Sequence, residues 1–113
     1  MSLRQEQSLF AIHLAKLILH AESIGYEVTL GDAYRDPRVH GDYGVKKSYG
    51  HSRSFHKKRL AQDLNLFKDG KYLSSTEAHR TLGEWWEDQH DLCTWGGEFS
   101  NPDGNHYSFG EDR

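Results

Sequence analysis

The chain has 113 residues, 35% of them apolar and 27% charged, enough for one modest core and too apolar for a disordered chain. Its formal charge of -3 offers no basic footprint for nucleic acid, and no apolar run approaches the roughly 20 residues of a membrane-spanning helix. Cys93 is the only cysteine, which excludes an internal disulfide and a cysteine-built zinc site, while eight histidines make metal chemistry plausible.

In chain order, Leu3, Phe10, Leu14, Leu17, Ile18, Ala21 and Ile24 recur at near-helical spacing, predicting an amphipathic helix that Gly25 ends. Tyr26 to Leu30 alternates as a strand does, with Val28 and Leu30 toward the core. From Asp32 to Phe55 no period persists, and Pro37, Gly41, Gly44 and Gly50 punctuate it; a loop of this length in so small a domain is functional or disordered. Leu60 to Phe67 reads as a second strand, with Leu60, Leu64 and Leu66 on one face and Ala61, Asp63 and Asn65 on the other. Asp69-Gly70 is a hairpin turn signal followed by a short return through Tyr72 and Leu73. Ser74-x-x-Glu77 has the form of a capping box, opening a helix that points Ala78, Leu82, Trp85 and Trp86 inward and ends near Asp91. A last short strand is expected from His106 to Phe109. The order implies a single α+β domain over residues 1–113, a small antiparallel sheet flanked by helices.

Asp63 on a strand of such apolar character needs a metal or a cation to answer its charge, because a buried lone carboxylate loses its hydration. His56 lies seven residues upstream. Fully extended, at about 3.3 Å per residue, that separation would be roughly 23 Å, too far to share an ion. A shared site therefore requires the chain to reverse at Lys57-Lys58-Arg59. His106, on the last strand, supplies a third ligand. Two imidazoles and one carboxylate leave a tetrahedral zinc one open position, the arrangement of catalytic sites, and water held there becomes nucleophilic near neutral pH. Asp103, three residues before His106, is the local candidate to take that water's proton, with Glu98 in reserve. The competing reading of Asp103 is a turn residue within Pro102-Asp103-Gly104.

Ser54-x-His56-x6-Asp63, with Ala61 two before the Asp, resembles the S-x-H-x-x-G-x-A-x-D signature of the zinc D-Ala-D-Ala carboxypeptidases and L-alanyl-D-glutamate peptidases. Trp95-Gly96-Gly97-Glu98-Phe99 followed by Asp103-x-x-His106-Tyr107 is similar to that family's C-terminal segment, and Tyr34-Arg35 resembles its upstream Y-R dipeptide. The resemblance implies the fold shared with the Hedgehog signalling domain. It makes His56, Asp63 and His106 the zinc ligands, Asp103 the general base and acid, Arg35 the cation for a substrate carboxylate or developing oxyanion, and Ser54 a secondary substrate contact. It also implies hydrolysis of peptidoglycan stem peptides in the manner of a phage or prophage endolysin, with L-Ala–D-Glu the expected bond. A D-Ala-D-Ala carboxypeptidase or dipeptidase, and a zinc-containing wall-binding module without turnover, are the alternatives. The family's Gly is Arg59 here, which implies a local path open to ordinary residues.

Met1 to Glu6 lacks the basic-then-apolar plan of a signal peptide, so synthesis in the cytoplasm and access to the wall after lysis are expected, as a monomer with no nucleic-acid or membrane partner. His13, His20, His79 and His90 read as surface or packing residues on helices. His40 and His51 fall in the long loop, where they could line a substrate cleft. Cys93 reads as a small buried hydrophobe.

Overall fold

The computed structural model describes residues 1–31 and 55–111. Within them an antiparallel sheet is packed against two helices, an α+β arrangement. Helix α1 spans Leu3–Ser23 and opens with a capping box in which Ser2 and Gln5 exchange side-chain and backbone hydrogen bonds. It closes at Gly25, whose φ of 96° lets Gly25 N–H reach Glu22 O and Tyr26 N–H reach Ala21 O. Phe10, Leu17 and Ala21 form its buried stripe, whereas Leu3 and Ile24, at its ends, are exposed.

The strands are β1 (Glu27–Leu30), β2 (Ala61–Lys68), β3 (Lys71–Leu73), β4 (Cys93–Trp95) and β5 (His106–Phe109). They are ordered β1-β2-β5-β4, with β3 also paired to β2. β2 is the organising strand: residues 64–67 pair with β1, 61–63 with β5 and 66–68 with β3. The Asp69-Gly70 turn joins β2 to β3 with positive φ at both residues, the primed hairpin turn that Asp-Gly favours. Leu64 and Leu66 are fully buried, as their alternation implies. Leu30 differs from expectation: it is 63% exposed, at the end of β1, which lies at the edge of the sheet among the described residues.

Helix α2 spans Thr76–Gln89. Its N-cap is Ser75, whose hydroxyl accepts from Ala78 N–H, one residue later than the Ser74-x-x-Glu77 box implies. Glu77 instead points outward to Arg80. The helix stops at Gln89 rather than near Asp91, since His90 is extended and Leu92 N–H donates to His90 Nδ1. That early stop frees Cys93–Trp95 to form β4, a strand the sequence pattern does not announce.

Trp86 lies at the centre of the core, fully buried, with its indole N–H shared between Thr94 O and Ser108 O at 3.1 Å each. One polar group thus ties α2 to both β4 and β5. Phe10 and Tyr107 meet the Trp86 ring edge-on at 6.0 and 6.3 Å. Trp85 is half-buried and stacks on His20 at 4.1 Å, while His13 packs against His90 and Phe109. His79 is buried, with Nδ1 2.8 Å from the Tyr107 hydroxyl. These four histidines are packing residues. Among the described residues no helix is long and apolar enough to cross a membrane.

Candidate metal centre

Asp63 and His106 are direct partners in the β2–β5 ladder. The flanking bonds run from Leu64 N–H to Asn105 O and from Phe109 N–H to Leu60 O, which makes Asp63 and His106 a pair without mutual backbone bonds. Such pairs bring Cα atoms to about 4.5 Å and their side chains closest together. The sheet register alone therefore places a carboxylate beside an imidazole.

His56 arrives by the reversal that a shared site requires. Residues 55–57 are helical, and Arg59 N–H donates to His56 O while Leu60 N–H donates to Phe55 O. Arg59 adopts φ 57°, so the left-handed path is kept although the residue is not glycine, contrary to the expectation of an ordinary conformation there. Gln7 of α1 supports the turn by donating to Lys58 O at 2.7 Å. The chain then enters β2 with His56 folded back over Asp63.

His56 Nε2 lies 3.3 Å from Asp63 Oδ1, and His106 Nδ1 lies 3.5 Å from the same oxygen. Both nitrogens are buried and make no hydrogen bond among the described residues. A tetrahedron with bonds of 2.0–2.1 Å has edges of about 3.3 Å, so these spacings fit three ligands of one small cation. His56, Asp63 and His106 form a group that could hold a metal ion, with ligand atoms all within 4.8 Å of one another. His56 and Asp63 side chains are only 9% and 7% exposed, and that of His106 is fully enclosed.

Burial works against charge on both Asp63 and His106, and their neighbours override it. Desolvation raises the Asp63 carboxyl, yet His106 and His56 together hold it well below the usual carboxylate range. Desolvation lowers His106, yet the carboxylates of Asp63 and Glu111 push it up to about 9. Protonation of His106 is thereby favoured, and a cation held at Nδ1 would compete with it.

Nearby, the backbone is closely fitted. A Cβ on Gly96 would lie 2.3 Å from Asp103 O and 2.9 Å from His106 Cβ, so only glycine lets the turn after β4 pass this near to His106. Asp103 N–H donates to Gly96 O, and Asp103 O accepts from His106 N–H. Asp103 is thus fixed by its main chain at the entrance to β5. Glu98 is paired with Arg80 at 3.2 Å on the surface. Arg35 and Ser54 lie outside the described residues, as do His40 and His51.

No known protein-family model matches this chain, and no curated protein matches it.

Sequence reasoning brings together the three residues that the structure brings together. It misses Glu111, whose carboxylate lies 2.5 Å from His106 Nε2 with both side chains fully buried. The only sequence signal is an acid just beyond the last strand, and strand alternation puts it on the wrong face: residues five apart in an extended chain point opposite ways. Gly110, at φ 95°, breaks that alternation and turns Glu111 back toward His106.

Proposed function

We propose that this chain is a zinc-dependent peptidase acting on bacterial cell-wall stem peptides, with a fold of the Hedgehog/DD-peptidase kind and the L-Ala–D-Glu bond as its target. The observation that supports the metal part of the reading is the convergence of His56 Nε2 and His106 Nδ1 on Asp63 Oδ1 in a buried site, at zinc-ligand spacing. The motif resemblance around Tyr34-Arg35, Ser54 to Asp63 and Asp103 to His106 supports the choice of substrate.

His56, Asp63 and His106 would hold the ion. Imidazole and carboxylate donors suit zinc among the divalent metals, and three of them leave a position for water. Bound zinc would lower the pKa of that water toward ~7 and polarise the scissile carbonyl. Asp103 takes the proton from the attacking water and returns it to the leaving amine, so hydroxyl ends on the acyl carbon and hydrogen on the nitrogen. Arg35 binds the stem peptide through a carboxylate, and Ser54 adds a secondary contact. The chain acts as a monomer, is made in the cytoplasm and reaches the wall on lysis, as an endolysin does.

Digestion of purified peptidoglycan by the zinc-loaded protein, with mass spectrometry of the new termini, tests this. New L-Ala carboxyl and D-Glu amino termini are expected, and Asp103→Ala is expected to abolish them. Release of D-Ala would redirect the reading to a carboxypeptidase or dipeptidase. No new termini from the wild type would overturn the enzyme, and cosedimentation with the wall would then identify a binding module.

A further inference from the structure

Glu111 stands outside the group of three ligands, and neither the motifs nor the proposed chemistry gives it a role. Its position is nevertheless closely determined. Gly110 N–H donates to Leu92 O, and Glu111 O accepts from the Thr94 hydroxyl at 3.0 Å, so β4 and the residue before it fix the backbone at Gly110 and Glu111. The positive φ of Gly110 then directs the Glu111 side chain inward, where it is fully buried against His106 Nε2. Placing a carboxylate in a protein interior is costly unless it is answered. An acid turned to the surface just beyond the strand would avoid that cost altogether.

We infer that Glu111 is a positioning residue for the metal centre: by accepting the Nε2 proton of His106 it locks the ring so that Nδ1 presents its lone pair beside Asp63 Oδ1. The inference rests on the metal part of the proposed function. Its physical logic is that imidazole has two nitrogens and only the one without a proton can ligate. A buried acceptor on Nε2 selects the Nε2–H form, fixes the ring plane and increases the basicity of Nδ1. Nδ1, 3.5 Å from Asp63 Oδ1, is the nitrogen on the ligand side, and Nε2 is on the opposite side of the ring. The geometry therefore gives each ring nitrogen a separate task. The approach of His56 is set by the Arg59 turn.

Zinc affinity of the full chain, measured by competition with a chromophoric chelator for wild type and Glu111→Gln, tests this, with thermal melts confirming that the variant folds. The glutamine keeps the volume and can still accept the Nε2 proton, but it removes the charge. Affinity is expected to fall roughly 10- to 100-fold. Equal affinity in a folded Glu111→Gln would overturn the role of Glu111 while leaving the metal centre intact. No zinc bound by the wild type would overturn both. Nitrogen-15 spectra of the zinc-loaded wild type decide the matter even if the variant does not fold. A slowly exchanging proton on His106 Nε2 with Nδ1 as ligand is expected, and a proton on Nδ1 would overturn the inference.

Discussion

Arg59 stands to the helical residues 55–57 as Gly25 stands to α1. Each residue is left-handed, at φ 57° and 96°, and each is followed by a residue whose N–H reaches back five positions, Leu60 to Phe55 and Tyr26 to Ala21. The two closures share one hydrogen-bond pattern, but only one has the residue without a Cβ penalty. Arg59→Gly is therefore expected to stabilise the protein by about 1 kcal/mol, with the gain limited by the extra freedom glycine brings to the unfolded chain. Urea unfolding curves check it. A loss of stability would mean that the arginine side chain contributes more than its backbone costs.

A metal held by the His56, Asp63 and His106 group would link folding to metal concentration. Free zinc at about 1,000 times its Kd is expected to add about 4 kcal/mol to stability, and a chelator is expected to remove it. His56→Ala should lose that increment while remaining folded, since His56 sits at the edge of the site rather than in the leucine and tryptophan core. Melts with and without zinc, for both proteins, provide the comparison. An equal zinc increment in His56→Ala would remove that residue from the ligand set.

Gly96→Ala should be costly in two readouts at once. The added methyl meets Asp103 O and His106 Cβ, so either the turn or the ligand must shift. A stability loss of roughly 1–3 kcal/mol is expected from the overpacking, together with weaker zinc binding. Calorimetric titration with zinc, run beside a thermal melt, separates the two effects. Unchanged zinc affinity would show that the Gly96 turn yields without moving His106.

Acid should weaken the protein through His79. Burial pushes this imidazole down to about 4, with a hydrogen bond to the Leu73 backbone working against it. Because the folded value lies below the unfolded value of 6.5, the unfolded chain takes up the proton first as pH falls. Stability is fully present above 6.5 and is lost as pH falls toward about 4, on the order of 3 kcal/mol over the whole window. His13, lowered mainly by burial, adds in the same direction. His79→Gln, whose amide can still partner the Tyr107 hydroxyl, should shrink the slope of stability against pH by nearly one proton. Urea midpoints between pH 4 and 7 measure that slope, and an unchanged slope would contradict a neutral buried His79.

Much of this architecture is legible in the sequence because local chemistry and tertiary packing agree. Asp69-Gly70 dictates a primed turn, the alternation of Leu64 and Leu66 sets the core face of β2, and Gly25 marks the end of α1. The grouping of His56, Asp63 and His106 is legible because an acid on an apolar strand demands an answering group. Other features are set by long-range contacts that no local pattern carries. β4 exists because β5 and the Trp86 indole hold it. Ser75 caps α2 because its hydroxyl, rather than that of Ser74, meets the free N–H of Ala78. His79 is inside because Tyr107 offers it a partner, and Leu30 is exposed at the end of a strand that is at the sheet edge among the described residues. Glu111 depends on a single reversed φ at Gly110, which turns its side chain to the other face.

The lone thiol of Cys93 is 3% exposed within β4, and burial, reinforced by the charge of Glu87, pushes it up to about 12. Folded protein should thus be almost inert to alkylating reagents, while the opened chain reacts at the rate of an ordinary cysteine. The chain consequently contains its own clock for opening. The rate at which one label is incorporated under native conditions reports how often β4 parts from β5, with no probe introduced and no second thiol to confuse the count.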